Sequence, residues 1–584
     1  MTLYAGVTAK RLLPADWYLS HMLKLPRSFA GAQYDKWEAG RIARNADYKT
    51  HRPLKGKRLT TFCASLALLH PLLSLTHWIF GSLMLPYKSS SLEHPLLSLT
   101  HWIFRSLMLP YKSSSHSAKC VRCAPSGRYH NPMNHLNPGR KAAQRRNMMK
   151  DISDTLLQTF RTSYEADKNA QVLHGALAKT DMMNLAYHPG KGAALKGAFT
   201  VEVKTRGITA QEQSGRCWLF AALNILREKV AEKCHLEQFE LSQNYLSFYD
   251  KLEKANNFLE MVIANADAPV KGQLMQYVLR GMSDGGYWTE AADLVEKYGV
   301  VPKQVQPETY QSGHTDRFVS TLNRLLRKDA MELRELVKTG KDPYARKAEM
   351  LEEVYRAECI AFGEPVRTFD FTYRDKDNNF HEDRGLSPLD FYHKYVGISL
   401  NDYMAVINEP TFDKPLGRVI AFHGVENMVG RDMRGLNLTG HDMEDLCVKQ
   451  LKAGEAVWFA CDAGAAGARK EGVWDPESVR YEDLLGGFSM DMEKGKRLEY
   501  GASSATHAML ITGVHLDEKG NPDRWKIENS WGKDVGDNGY FVCSEAYFQK
   551  FVYEAVILKK HFTEDQKKMM ELEPVYINAW DEDY

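Results

Sequence analysis

Cysteine is scarce in this chain, with nine residues among 584, an odd number that forms no even, closely spaced framework. Since small secreted proteins rely on regularly spaced cysteine pairs, a disulfide scaffold is excluded and a reducing compartment is favoured. Net charge is also low, at +2 with 76 basic and 74 acidic side chains. The overall charge therefore gives no reason to expect nucleic acid or an acidic partner.

A secretory signal is missing as well, because Lys10, Arg11 and Asp16 interrupt the first apolar residues. Hydrophobic residues make up 44% and charged residues 26%, which is typical of a soluble globular protein. The length exceeds that of an ordinary single domain, so we expect two or more cores or subdomains. Together these features predict a cytoplasmic protein.

Residues 1–147 differ from the rest. The segment 70–91 recurs at 94–115 with one change, Arg105 in place of Gly81. Two copies are too few for a stable solenoid, and such fidelity is unusual in a selected protein. We interpret 1–147 as an extension that is disordered or translated from repetitive DNA, and we expect the functional chain, 148–584, to begin at Met148 or Met149.

Two other interpretations of this extension remain open. Leu59 to Tyr87 lacks charged residues and is long enough to cross a bilayer, although Pro71 and the histidines disfavour a membrane helix. The pair Cys120 and Cys123, with histidines nearby, resembles half of a zinc site. A lone pair is a weak signal, so we expect no metal, no cofactor and no membrane association.

Residues 148–584 change in pattern along their length. Helical periodicity dominates to about residue 300, and long, charged helices at about 311–365 have the character of an insertion. The last third contains short apolar strands separated by turns, as in 508–514, 525–529 and 539–543. This order predicts an α+β fold in which a helical subdomain packs on an antiparallel, barrel-like β-subdomain.

The stretch Gln211 to Phe220 places a cysteine where a polar loop enters an apolar helix. The N-terminus of a helix carries partial positive charge and unpaired N–H groups, which favour thiolate over thiol. Cys217 is therefore a candidate nucleophile, although a single cysteine at such a position is more often a buried structural residue.

A second candidate group lies nearly three hundred residues later. His507 begins one predicted strand, and Asn529 ends the next, so an antiparallel hairpin would bring them together. A neighbouring amide is one way in which an imidazole is held in one orientation and tautomer. A cysteine at a helix start combined with this hairpin predicts nucleophilic catalysis.

These residues resemble the papain-like cysteine peptidases, and more narrowly the bleomycin hydrolase and bacterial aminopeptidase C branch. The resemblance runs from about Met149 to Asp581 and includes Gln211, six residues before the cysteine. The motifs that carry it are Ser214-Gly215-Arg216-Cys217-Trp218, Asp284-Gly285-Gly286, Val295-Glu296-Lys297-Tyr298-Gly299-Val300, Tyr373-Arg374-Asp375-Lys376-Asp377, Gly454-Glu455-Ala456-Val457-Trp458-Phe459, Thr506-His507-Ala508-Met509 and Glu528-Asn529-Ser530-Trp531-Gly532.

The resemblance implies an acyl-transfer mechanism. Cys217 attacks the scissile carbonyl and His507 pairs with it and protonates the leaving amine, while Asn529 orients the imidazole. Trp531 would shield that hydrogen bond, and Gln211 would stabilise the oxyanion. Gly285 and Gly286 resemble the backbone strip that pairs with peptide substrates. No cofactor is implied.

The family also implies aminopeptidase activity, because its C-terminal arm fills one side of the cleft and its terminal carboxylate meets the substrate amine. Here the arm would be about 574–584, and Tyr584 would supply the carboxylate. Its last residues are more acidic than the family pattern. The resemblance implies a homohexamer. The alternatives are that the same fold acts mainly as a nucleic-acid-binding hexamer or as an endopeptidase.

Overall fold

The computed structural model describes residues 150–581. The predictions made for 1–147, including the repeat, the membrane alternative and the cysteine pair, lie outside the described residues, as does Tyr584. Within 150–581, no helix has the length and apolar character needed to cross a membrane. The proposed domain boundary at 148 stays a prediction.

Helices dominate residues 150–362, and shorter helices are distributed between the later strands. The long helix Gln243–Ala264 begins at a side-chain cap, because Ser242 Oγ accepts from the N–H of Tyr245 at 3.1 Å. The α-helices are α1 Asp154–Ala166, α2 Lys168–Leu177, α3 Met182–Ala186, α4 Pro189–Leu195, α5 Cys217–Lys233, α6 Gln243–Ala264, α7 Gln273–Val278, α8 Trp288–Tyr298, α9 Tyr310–Gly313, α10 Asp316–Lys338, α11 Tyr344–Phe362, α12 Pro388–Phe391, α13 Gly440–Lys452, α14 Tyr481–Leu484, α15 Lys494–Glu499, α16 Glu545–Phe551 and α17 Glu564–Met570.

A 12-stranded sheet forms the other half, with strand order β14-β5-β6-β4-β13-β7-β10-β11-β12-β9-β8 and β1 paired to β10, while β2 and β3 form a separate hairpin. Most pairs are antiparallel, as expected, but the sheet is mixed. Three pairs are parallel: β4 with β6, β5 with β14, and β9 with β12. The strands are β1 Val201–Glu202, β2 Phe369–Arg374, β3 Phe380–Leu386, β4 Tyr403–Ile407, β5 Arg418–His423, β6 Met433–Asn437, β7 Val457–Cys461, β8 Gly467–Ala468, β9 Val473–Trp474, β10 His507–Leu516, β11 Pro522–Glu528, β12 Tyr540–Ser544, β13 Val552–Leu558 and β14 Val575–Asn578.

Helix α5 is the element at which the two halves meet. Twelve of its seventeen residues are buried and ten of these are apolar, as expected of a helix that packs in a core. One core cluster joins it to α8 and to strands β7 and β10 through residues such as Leu223, Leu294 and Leu510. Its position is further fixed where Trp458 Nε1 donates to the Trp218 carbonyl, at 3.0 Å.

The predicted helical insertion at about 311–365 is present as α10 and α11, which pack on α6 around Leu326, Leu333 and Met350. Its outward face is charged, as the sequence pattern predicts. Its first residues, however, also make a contact that the sequence does not predict. Thr315 Oγ1 donates to Asp284 Oδ2 at 2.6 Å, so the insertion contacts the segment that carries the paired glycines.

A buried ion pair joins α5 to the sheet. Arg227 Nη2 lies 2.7 Å from Glu528 Oε1, and both side chains are at most 2% exposed. Asn224 Nδ2 donates to the same oxygen at 3.1 Å, and Arg227 also donates to the Gly207 carbonyl at 2.6 Å. Burial raises the pKa of Glu528, so its charge depends on Arg227.

Replacing Arg227 by Met should lower the free energy of unfolding by about 3–5 kcal/mol, because Glu528 would be left as an unpaired buried charge. Chemical denaturation measures this. The control is Lys567→Met, whose ion pair with Glu564 is exposed and should contribute under about 1 kcal/mol. A loss below about 1 kcal/mol for Arg227→Met would show that the pair does not hold the two halves together.

Candidate active site

Cys217 is the first residue of α5, at the junction that its sequence position predicts. No side chain caps this helix start, which leaves the N–H groups of its first turn available. Burial is the largest influence on the Cys217 thiol and raises its pKa, while the nearby backbone N–H groups of Ala508, Trp218 and Cys217 act to lower it. The contact with Ala508 brings the sulfur beside the residue that follows His507.

His507 and Asn529 are brought together by the β10–β11 hairpin, as predicted. Strands β10 and β11 pair in antiparallel register, with Leu510 opposite Glu528. His507 Nε2 lies 2.9 Å from Asn529 Oδ1, and both residues are buried. An amide oxygen accepts, so Nε2 carries the proton and Nδ1 is the nitrogen left for proton exchange with a nucleophile.

Trp531 covers the imidazole. Its ring stacks on His507 with centroids 4.6 Å apart and planes at 21°. The guanidinium carbon of Arg469 lies 4.3 Å from the centroid of the same indole. An exposed cation thus stacks on the ring that contacts the imidazole, an arrangement that the sequence does not indicate because Arg469 lies 38 residues before His507.

Burial sets the protonation of the cysteine and histidine. It raises the pKa of the Cys217 thiol, and it lowers the pKa of His507 to about 4, an effect to which Arg469 adds and which the Asn529 hydrogen bond opposes. Desolvation alone therefore favours the uncharged thiol and imidazole, in contrast to the thiolate that a helix start predicts. The N–H groups around the sulfur, and attraction between the two charges once formed, act in the opposite direction.

Gln211 is buried and is held by the residue after Asn529. Its backbone N–H donates to the Ser530 carbonyl at 2.8 Å, and its Oε1 accepts from Ser530 Oγ at 2.7 Å. One hydrogen of Nε2 goes to the Ser214 carbonyl at 2.5 Å. An amide nitrogen has two hydrogens, so the other is available to an oxyanion.

Gly286 cannot be replaced by a residue with a side chain without movement of its neighbours. A Cβ there would lie 2.6 Å from Glu290 Oε2 and 2.7 Å from Trp218 Cε2. A Cβ at the preceding Gly285 would meet only Ser283 Oγ, at 3.9 Å, and the Gly285 carbonyl accepts from Lys254 Nζ at 2.6 Å. Close packing therefore requires glycine at position 286.

Asp284 connects this strip to the cysteine loop. Its Oδ2 accepts from the Gly215 N–H at 2.6 Å, its carbonyl accepts from Trp218 Nε1 at 3.0 Å, and its Oδ1 accepts from Lys251 Nζ at 2.5 Å. Burial alone would raise the pKa of Asp284, but Lys251 and Thr315 hold it below its usual range. An ionised carboxylate thus fixes the loop before Cys217.

These groups surround one cavity of about 450 Å³. The predicted site residues that line the cavity are Gln211, Cys217, Gly285, Gly286 and His507. Asn529 and Trp531 do not line it but contact His507. Its lining also includes charged and phenolic groups that the sequence analysis did not identify. The lining consists of Gln211, Gly215, Cys217, Lys254, Tyr277, Ser283, Gly285, Gly286, Tyr287, Glu290, Val425, Ala460, Ala505, Thr506, His507 and Ala508.

The C-terminal strand approaches this cavity. Strand β14 pairs in parallel with β5, and the Ala579 N–H donates to the His423 carbonyl at 2.9 Å. Trp580 then lies with its ring centroid 6.3 Å from that of Tyr277, which lines the cavity. The position of Tyr584 lies outside the described residues, so its role stays a prediction.

This chain is similar to known proteins over about three quarters of its length. The model of the Peptidase C1-like family matches residues 151–582. Aminopeptidase C of Listeria innocua is 39% identical over 436 residues, covering 74% of this chain and 98% of the relative. Aminopeptidase C of Lactobacillus delbrueckii subsp. lactis is 40% identical over 443 residues, with the same two coverages, 74% and 98%. The solved structure of PepW from Lactobacillus rhamnosis HN001 has 41% identity and a TM-score of 0.72, again covering 74% of this chain and 98% of that chain.

Replacing Arg469 by Gln should move the alkaline limb of the kcat/KM pH profile to higher pH. Arg469 lowers the pKa of His507, so without this cation the imidazolium holds its proton to higher pH. An exposed charge contributes at most about 1 kcal/mol, which corresponds to a shift of up to about 0.7 pH unit. Arg469→Lys keeps the charge and should leave the limb in place. A shift to lower pH, or equal shifts in both variants, would contradict this role.

Proposed function

We propose that this chain, which belongs to the Peptidase C1-like family, is a cysteine aminopeptidase that releases N-terminal residues from peptides. The observation that carries the proposal is the His507–Asn529 pair, 2.9 Å apart, beside a cysteine at a helix start. The relatives described above that are named Aminopeptidase C support the choice of reaction.

In the first step, Cys217 transfers its proton to His507 and the sulfur attacks the scissile carbonyl carbon. The C–N bond then breaks, His507 returns the proton to the leaving amine, and a thioester remains on the sulfur. Water, deprotonated by His507, attacks the thioester and releases the carboxylate product and the thiol. Asn529 keeps Nε2 protonated throughout, so the other ring nitrogen makes each transfer.

The negative charge that forms on the carbonyl oxygen is stabilised by Gln211 Nε2 and by the backbone N–H of Cys217. Preorganised donors of this kind contribute about 10²–10³ in rate each. Ser530 holds Gln211 in place through its hydroxyl and its carbonyl. A peptide lying along Gly285 and Gly286 would present its carbonyl to this pair of donors.

Whether the enzyme acts as an exopeptidase or an endopeptidase depends on the C-terminal arm. Strand β14 directs Trp580 toward Tyr277 at the cavity, and a carboxylate beyond it would close the non-primed side. Tyr584 would then bind the substrate ammonium, with help from the neighbouring acidic side chains. The endopeptidase alternative requires this side to be open.

Assembly and location remain predictions of the same resemblance. A homohexamer and a cytoplasmic site of action are the expected states. Nucleic-acid binding, the other alternative, finds little support in a chain with a net charge of +2.

Replacing Cys217 by Ser should reduce the hydrolysis of aminoacyl-arylamides by about 10⁴-fold or more, because the acyl-enzyme can no longer form at a useful rate. Release of the arylamine measures this. Cys359→Ser, at a cysteine outside the cavity, should retain full activity. If the Cys217 variant stays active while folding normally, the proposed nucleophile is wrong.

Deleting the last four residues, Asp581 to Tyr584, should convert the enzyme from an exopeptidase to an endopeptidase. The deletion removes the terminal carboxylate, so N-acetylated peptides should be cleaved and free amino termini should lose their advantage. Mass spectrometry of the products measures this. A variant with Glu582→Gln and Asp583→Asn keeps the terminal carboxylate and separates it from the side chains. Strict aminopeptidase activity after deletion would exclude the anchoring role.

A further inference from the structure

Glu290 is a buried carboxylate in the wall of the catalytic cavity. It belongs to α8, immediately after the glycine strip, and its side chain is about 1% exposed. Its Oε2 accepts from the Tyr287 N–H at 2.7 Å and so completes the cap of α8. The same oxygen lies 2.6 Å from where a Cβ of Gly286 would be, so the carboxylate is packed directly against the strip.

The second oxygen of this carboxylate, Oε1, has no hydrogen-bond partner. The nearest cation, Lys254 Nζ, lies 3.8 Å away, which is too far for a hydrogen bond. Lys254 instead donates to the carbonyls of Gly285 and Ser283 and to Asp250, at 2.6, 3.4 and 3.2 Å. All three of its hydrogens are thus directed to other acceptors.

Buried carboxyl groups outnumber buried basic groups around this point. An adjoining cavity of about 260 Å³ shares Lys254 with the catalytic cavity and is lined by Glu426. Glu426 is buried, and its Oε2 is also without a hydrogen-bond partner. The basic side chain added by this second cavity, Arg280, is exposed and stacks on Tyr277. Asp250, Glu290 and Glu426 therefore face one buried lysine.

We infer that Glu290 Oε1 binds an ammonium group of the peptide substrate beside Gly286, and so determines which substrates the cavity accepts. The inference rests on the proposed function, since it places a peptide along the glycine strip. An ammonium supplies the N–H donors that Oε1 lacks and the positive charge that the three carboxylates need. The N-terminal amine and a lysine side chain carry the same group.

The pH dependence of binding should report on this carboxylate. The pKa of Glu290 is raised to about 8, mainly by burial and also by the nearby acids Glu426 and Asp250, against the opposing effect of Lys254. Affinity for an ammonium of lysine type, with a pKa of about 10.4, should therefore rise with pH through about 8 as Glu290 becomes charged, whereas affinity for an α-ammonium, which itself loses its proton at about pH 7.7–8.0, should pass through a maximum. The charged and titratable groups that face it are Lys254, Asp250, Glu426, Glu554 and Tyr287.

Calorimetry on the full chain with Cys217→Ser, in which no acyl transfer competes, tests the inference with four matched ligands. Lysinamide carries both ammonium groups, norleucinamide only the α group, 6-aminohexanamide only the terminal group, and hexanamide neither. Adding Glu290→Gln keeps an oxygen for the Tyr287 N–H but removes the charge. It should weaken binding of the ammonium that Glu290 contacts by about 10- to 100-fold, and it should abolish the rise with pH.

The pattern of affinity losses across the four ligands identifies which ammonium group Glu290 binds. Losses for lysinamide and norleucinamide assign the α-ammonium, and losses for lysinamide and 6-aminohexanamide assign the side chain. Glu296→Gln, on the same helix but outside the cavity, should leave all four unchanged. Equal effects of Glu290→Gln on all ligands, hexanamide included, or no effect on any, would overturn the inference. Arylamide hydrolysis by the chain with Cys217 intact tests the proposed function separately, since its absence leaves the binding result unaffected.

Discussion

The buried ion pair between Arg227 and Glu528 is the contact on which the active site depends. It connects α5, which begins with Cys217, to the last residue of β11, and Asn529 follows directly. The nucleophile and the amide that orients the imidazole come from parts of the chain about three hundred residues apart. Because a buried charge tolerates little displacement of its partner, this pair fixes the helix and the hairpin relative to one another.

Burial has opposite effects on structure and on chemistry at this site. It makes the contacts of Gln211, Ser530, Asn529 and His507 rigid, since unpaired buried polar groups are unfavourable. It also disfavours the charged forms of Cys217 and His507 that acyl transfer needs. Backbone N–H groups at the start of α5 and from β10 compensate at the sulfur. The start of α5 therefore stabilises a thiolate through its unpaired backbone N–H groups as well as through the helix dipole.

The sequence was sufficient to predict the α+β papain-like fold and the family, both of which are confirmed. It also placed His507 beside Asn529, because a turn between two apolar strands fixes the register of a hairpin locally. The contributions of Arg469, Asp284 and Glu290 could not be found in this way. Each is a single charged residue, and the sequence around it does not indicate its role. That role depends on contacts with residues that are distant in sequence. For the same reason the contact of Thr315 with Asp284 could not be predicted from its place in the insertion.

Glu290 shows how one carboxylate can serve the fold and a ligand together. One oxygen caps α8, which requires it to stay beside Tyr287, and the other has no hydrogen-bond partner although the side chain lines the cavity. Because burial raises the pKa of Glu290 to about 8, above about 4.3 for an unfolded chain, its contribution to stability is present at low pH and is lost as pH rises toward 8. Without a bound cation, a charged Glu290 thus lowers the free energy of unfolding. A bound ammonium removes that destabilisation, so the carboxylate and a cationic substrate stabilise each other. The unfavourable burial of the charged Glu290 thereby favours the binding of a cation.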